Sequence, residues 1–169
     1  MNWKVVSILS LMIAAAGVGW GFAQARTPND ALSPQDYIDI QTLYATYARA
    51  YDTGEGGGKV WADTFTQDGV FVVGGREYTG SQELAGYVNS RSQNGGSDVI
   101  QHWNANVIIT PAPGGATASL YVMVVSVGKP GKPSNIVIAT NYQDTLAKTS
   151  EGWRLKRRAA VERIPPLRP

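Results

Sequence analysis

The sequence predicts an α+β fold: three helices in the N-terminal half, packed on a curved antiparallel sheet and enclosing a pocket with it. Three observations predict it. Helical periodicity is confined to the stretch before residue 91. Four long strand-like runs then follow with no helix between them. Their separators are rich in glycine, proline and serine, so consecutive runs turn back on one another. Long antiparallel strands bent over helices leave a concave open end, the kind of place where ligands bind.

The first helix starts at Ser33-Pro34-Gln35-Asp36, with a serine cap, proline at the first helical position and an acidic residue three after the cap. Tyr37, Ile40, Tyr44, Tyr47 and Tyr51 follow at alternating spacings of three and four, with Leu43 beside them, a buried stripe rich in tyrosine. The glycines in residues 54–58 end it. A second, shorter helix is expected to carry Val60, Trp61, Thr64 and Phe65 before Asp68-Gly69 turns the chain. Residues 70–73 (VFVV) read as a strand, Gly74-Gly75 as a hairpin turn and residues 76–79 as its return. Ser81 can cap a third helix with Leu84, Tyr87 and Val88, and residues 91–97 read as a polar loop. Strands are expected over residues 98–110, 116–127, 135–147 and 153–163, separated by turn-forming segments 111–115, 128–133 and 150–152.

The ends read differently. Residues 1–25 have a short positive start at Lys4, an apolar run and the small-x-small site Ala23-Gln24-Ala25, the layout of a secretory signal peptide. The alternative is an uncleaved anchor, since about 18 apolar residues is the lower limit for a span. Removal places the chain outside the cytoplasm, periplasmic or secreted, with no membrane segment afterwards. Residues 26–32 read as a linker, 33–163 as one folded domain and 164–169 as a disordered tail.

Composition excludes several functions. The formal net charge of the whole chain is +2, too small a footprint for nucleic acid. The run Arg154, Lys156, Arg157, Arg158 reads as a solvated strand face. With no cysteine, stability rests on packing rather than disulfides. One histidine and no thiol argue against a metal site, and no cofactor is expected. The segment EGGGK (55–59) lacks a preceding strand and a following Ser/Thr, so it reads as a helix connection rather than a phosphate loop.

The single histidine, His102, lies in VIQHWNAN (99–106). Strand alternation puts Ile100, His102, Asn104, Asn106 and Ile108 on one face and Gln101, Trp103, Ala105, Val107 and Ile109 on the other. Imidazole titrates near neutrality and suits proton transfer, and a nearby carboxylate would fix its tautomer. A half-buried histidine donating to a backbone carbonyl fits the same pattern. Asp52 closes the first helix, where the helix dipole opposes its charge, so it needs a compensating partner or simply serves the turn before Gly54. Tyr51 and Tyr47 can offer phenols to a ligand or act as core aromatics.

The stretches DIQTLYATYARAYDTG (39–54), WADTFTQDGVF (61–71), QHWNANVII (101–109) and NYQDTLAKTSEGWRLKRR (141–158) resemble the SnoaL-like branch of the nuclear-transport-factor-2-like superfamily, a cone-shaped α+β fold. Within it, Tyr51-Asp52 at the end of the first helix and His102 on a strand resemble the corresponding parts of scytalone dehydratases. Those enzymes use a second histidine on the next strand, where residues 116–127 offer Ser119, Tyr121 and Ser126 and no histidine. The resemblance implies cofactor-independent lyase or isomerase chemistry on a small hydrophobic molecule, with His102, Asp52 and Tyr51 as catalytic residues. Tyr47, Trp61, Asn104, Tyr121 and Tyr142 are then the expected substrate-binding residues, Trp153 and Arg158 are read as structural packing and sheet-edge pairing, and a homodimer is the expected assembly. The competing expectation is a non-catalytic ligand-binding or dimerisation module of the same fold.

Overall fold

A computed structural model describes residues 31–94, 99–128 and 133–161. The expected signal segment, most of the linker and the tail lie outside these residues. Ser33 and Asp36 form a reciprocal capping box at the start of helix α1 (Pro34–Thr53). Ser33 N–H donates to Asp36 Oδ2 at 2.9 Å, and Asp36 N–H donates to Ser33 Oγ at 3.2 Å. Ile40, Leu43, Tyr44, Tyr47 and Tyr51 are buried along one face, as the periodicity predicts. Tyr37 departs from it and is exposed, because Asp36 takes the inward position one turn before Ile40.

The glycine-rich connection folds as a short 3-10 stretch (Glu55–Gly58) leading into helix α2 (Lys59–Ala62). Gly58 sits in the left-handed region, and a Cβ there would lie 2.4 Å from the Ala85 carbonyl oxygen. Only glycine lets this connection press against α3 (Gly80–Asn94). Helix α2 is shorter than predicted, and Phe65 opens strand β1 (Phe65–Val73) instead of closing the helix. Asp68-Gly69 is no turn. It falls within β1, where the pairing register slips between Phe65 and Val70, so its turn chemistry is used for a bulge. The Gly74-Gly75 hairpin leads to β2 (Arg76–Thr79) as expected. Helix α3 runs through the start of the predicted polar loop.

Strands β3 (Ile100–Ala112), β4 (Gly115–Ser126), β5 (Asn135–Thr149) and β6 (Gly152–Val161) form the antiparallel meander. The six strands make one curved, unclosed sheet in the order β2-β1-β6-β5-β4-β3. It is mixed rather than wholly antiparallel, because β1 pairs parallel with β6. Helix α3 carries the chain from one edge strand, β2, to the other, β3, and the meander returns to meet β1.

The predicted facing of β3 holds only in its first half. Asn106 has φ +52, and three residues of β3 (105 to 108) span two of β4 (121 to 119). This bulge reverses the alternation. His102 and Asn104 face inward before it, whereas Val107 and Ile109 pack on the core after it and Ile108 is exposed.

Arg158 is a second departure. Strand β6 is interior to the sheet, so Arg158 is neither an edge residue nor part of a solvated face: it is 0% exposed. It donates to both Asp144 oxygens, at 2.8 and 2.6 Å, from the paired register position on β5. Its guanidinium carbon lies 4.9, 4.1 and 4.4 Å from the ring centres of Tyr44, Tyr47 and Tyr142. The tyrosine stripe of α1 is thus matched to a buried cation as well as to apolar surface.

Candidate functional site

The C-terminal end of α1 meets the start of β3, and there Asp52 and His102 come together. Asp52 Oδ2 accepts the His102 backbone N–H at 2.9 Å, and Oδ1 lies 2.5 Å from His102 Nδ1. Both side chains are largely shielded, 15% and 5% exposed respectively. A carboxylate at a helix C-terminus is opposed by the helix dipole, and the strand amide and the imidazole supply the compensation. With Nδ1 held by the carboxylate, Nε2 is the nitrogen left for the cavity that His102 lines.

That cavity has a volume of about 200 Å³. Phe71, Val73, Val124, Ile138 and Ala160 give it apolar walls, and Tyr51, Tyr87, Arg91, Thr140 and Tyr142 add polar groups. Larger hollows of about 410 and 460 Å³ lie elsewhere but are more open to solvent, and neither contains the Asp52–His102 pair. The Tyr51 ring stands edge-on to the imidazole, with centroids 4.4 Å apart, and its hydroxyl donates to Tyr87 Oη at 3.2 Å. Burial holds the Tyr51 and Tyr142 phenols well above the usual range, so both are hydrogen-bond donors rather than bases.

The other predicted binding residues are elsewhere. Tyr47 and Trp61 are fully buried in the aromatic core behind the cavity, with ring centres 5.4 Å apart. Asn104 donates from Nδ2 to the Tyr44 carbonyl at 3.3 Å, tying β3 to α1 rather than facing a ligand. Tyr121 is 48% exposed, because it occupies the outer face of β4 beside Ala105 and Asn141. Tyr142 alone of the five lines the cavity.

Two residues that the sequence reading left out complete the site. Tyr87 and Arg91 are four apart on α3, one turn above each other. The Arg91 guanidinium carbon lies 5.6 Å from the Tyr51 ring centre and 5.9 Å from that of Tyr87. Partial burial works against its charge, but the two neighbouring phenols outweigh this and raise its pKa. Among the described residues no group of three or more His, Asp or Glu side chains could hold a metal ion.

Residues 34–159 match the SnoaL-like domain. The chain belongs to the SnoaL-like family. No curated protein matches this SnoaL-like chain, but solved structures share its fold. Aln2 from a Streptomyces species is 22% identical, with TM-score 0.69, over 78% of this chain and 93% of that one. Rv3472, a protein of unknown function from Mycobacterium tuberculosis, is 23% identical with TM-score 0.68, over 78% and 79%. An NTF2-like protein with a cystatin-like fold from Novosphingobium aromaticivorans is 22% identical with TM-score 0.66, over 75% and 80%. At these identities the structural likeness establishes the α+β fold alone. Membership in the SnoaL-like family suggests small-molecule chemistry of the polyketide cyclase or dehydratase type.

Proposed function

We propose that this SnoaL-like protein is a cofactor-independent acid/base enzyme acting on a small, largely hydrophobic organic molecule. The carrying observation is the Asp52–His102 pair set in the wall of a mostly apolar cavity. His102 Nε2 takes a proton from carbon next to a carbonyl, and the C–H electron pair moves to the carbonyl oxygen. The imidazolium then returns the proton to a leaving hydroxyl, which departs as water, or to another carbon. The first outcome is a dehydration and the second an isomerisation. Asp52 fixes the tautomer and stabilises the imidazolium, and Tyr51 supports the substrate oxygen through its hydroxyl network. One histidine in both roles removes the need for a second on the next strand.

Deuterium uptake from heavy water into a panel of aryl ketones and β-hydroxy ketones tests this by mass spectrometry. We expect uptake or water loss with the wild type and a fall on the order of 10²–10⁴-fold in His102→Ala. Equal rates in the two proteins would remove His102 as the base.

A second reading concerns assembly. The outer face of the sheet carries Trp103, Tyr121 and Ile136, exposed at 51%, 48% and 58%. Met123 and Ala139 continue the Trp103 row across the strands. This supports a homodimer joined through that face, with the protein exported to the periplasm or outside the cell, and it suits a binding or dimerisation module as well as an enzyme.

A further inference from the structure

We propose that Arg91 determines the substrate class of this cavity: with the Tyr51–Tyr87 hydroxyl pair it forms a site for a negatively charged oxygen. The ligands it selects are ketones that ionise to enolates and phenols that ionise to phenolates. The inference rests on the acid/base reading and deepens it.

The Tyr51 ring separates two kinds of surface. On one side is the imidazole, and on the other its hydroxyl is bonded to Tyr87 under the Arg91 guanidinium. Two hydroxyls joined by one hydrogen bond retain one proton to donate elsewhere. The cation is also uncommitted. On β6, Arg154, Arg157 and Arg158 each pair with a carboxylate, whereas no described carboxylate forms an ion pair with Arg91. It is held by two aromatic rings at the cavity wall, which positions its charge without neutralising it. When a C–H or O–H proton passes to Nε2, the electron pair left behind resides on the ligand oxygen. A guanidinium and a phenol proton are the groups that stabilise this charge, and they strengthen as it develops.

The probe is 4-nitrophenol, whose anion absorbs visibly, compared with its neutral methyl ether, 4-nitroanisole, on the full chain. At a pH where the free phenol is half ionised, wild-type protein should raise the phenolate absorbance. It should bind 4-nitrophenolate on the order of ten-fold or more tighter than 4-nitroanisole. Arg91→Met should abolish this preference while leaving 4-nitroanisole affinity and thermal unfolding unchanged, and Arg91→Lys should restore part of it. His102→Ala should keep the preference. Unaltered preference in Arg91→Met, loss of it in His102→Ala to the same extent, or no absorbance change with wild type would overturn the proposal. Preference that depends on Arg91 in a protein with no proton exchange would leave the anion site standing and retire the acid/base reading.

Discussion

Asp52 serves His102 twice, holding the strand amide with one oxygen and the ring with the other. Asp52→Asn keeps an acceptor for the amide but removes the charge that supports imidazolium. Its expected result is a folded protein with exchange reduced nearly as far as in His102→Ala, read in the same heavy-water assay. The buried Arg158–Asp144 pair is a different case, since it works through stability. Arg158→Met leaves an unpaired carboxylate in the core and should cost about 3–5 kcal/mol in urea unfolding, whereas adding Asp144→Leu should recover much of the loss. The two sites were unequally legible in the sequence. Asp52 could be suspected because a helix C-terminus repels a carboxylate, and His102 because it is the sole imidazole. Arg91 was hidden because the segment it opens, RSQNGGS (91–97), has a loop-like composition, although its spacing from Tyr87 carried the signal. The burial of Arg158 was hidden because four basic residues in five positions look solvated until the strand order is known.

At the level of elements, α1 is fastened at both ends by carboxylates that reach to strands. Asp36 accepts from Lys148 Nζ at 2.7 Å and from the Trp153 indole N–H at 2.9 Å, besides completing the cap with Ser33. The hydrogen bond from Lys148, then those from Ser33 and Trp153, hold its pKa well below the usual carboxylate range. Folding therefore favours the ionised form, and this stabilisation is complete above the unfolded value of about 3.9. It is lost as pH falls below that value toward the folded one. Urea midpoints should show wild type and Asp36→Asn converging as pH is lowered from about 5 to about 2, and a constant gap would contradict this assignment. The capping box and helix stripe were readable because they are local patterns. The reach of Asp36 to β5 and β6 was not, since it depends on a contact more than a hundred residues away in sequence.

For the whole molecule, the order β2-β1-β6-β5-β4-β3 leaves β3 and β2 as edges and puts the apolar rows of Trp103 and Tyr121 on the outside of the sheet. If two copies join through that face, Trp103→Glu combined with Tyr121→Lys should convert a dimer to a monomer in analytical ultracentrifugation, without loss of helical signal. A dimer that survives the double change would assign assembly to another surface. The α+β class and the meander were legible because turns punctuate the second half of the chain. Which face was inside was not, because period-two alternation names two faces without ranking them, and the bulge at Asn106 exchanges them midway. That bulge also sets how the gene can change in length. Loss of one codon there would restore strict alternation and swing Val107 and Ile109 into solvent while drawing Ile108 inward, with His102 left where it is. Selection would then meet a core defect rather than a site defect, so lineages of this protein should vary in length at the hairpins and keep the residue count between His102 and Ile109 fixed.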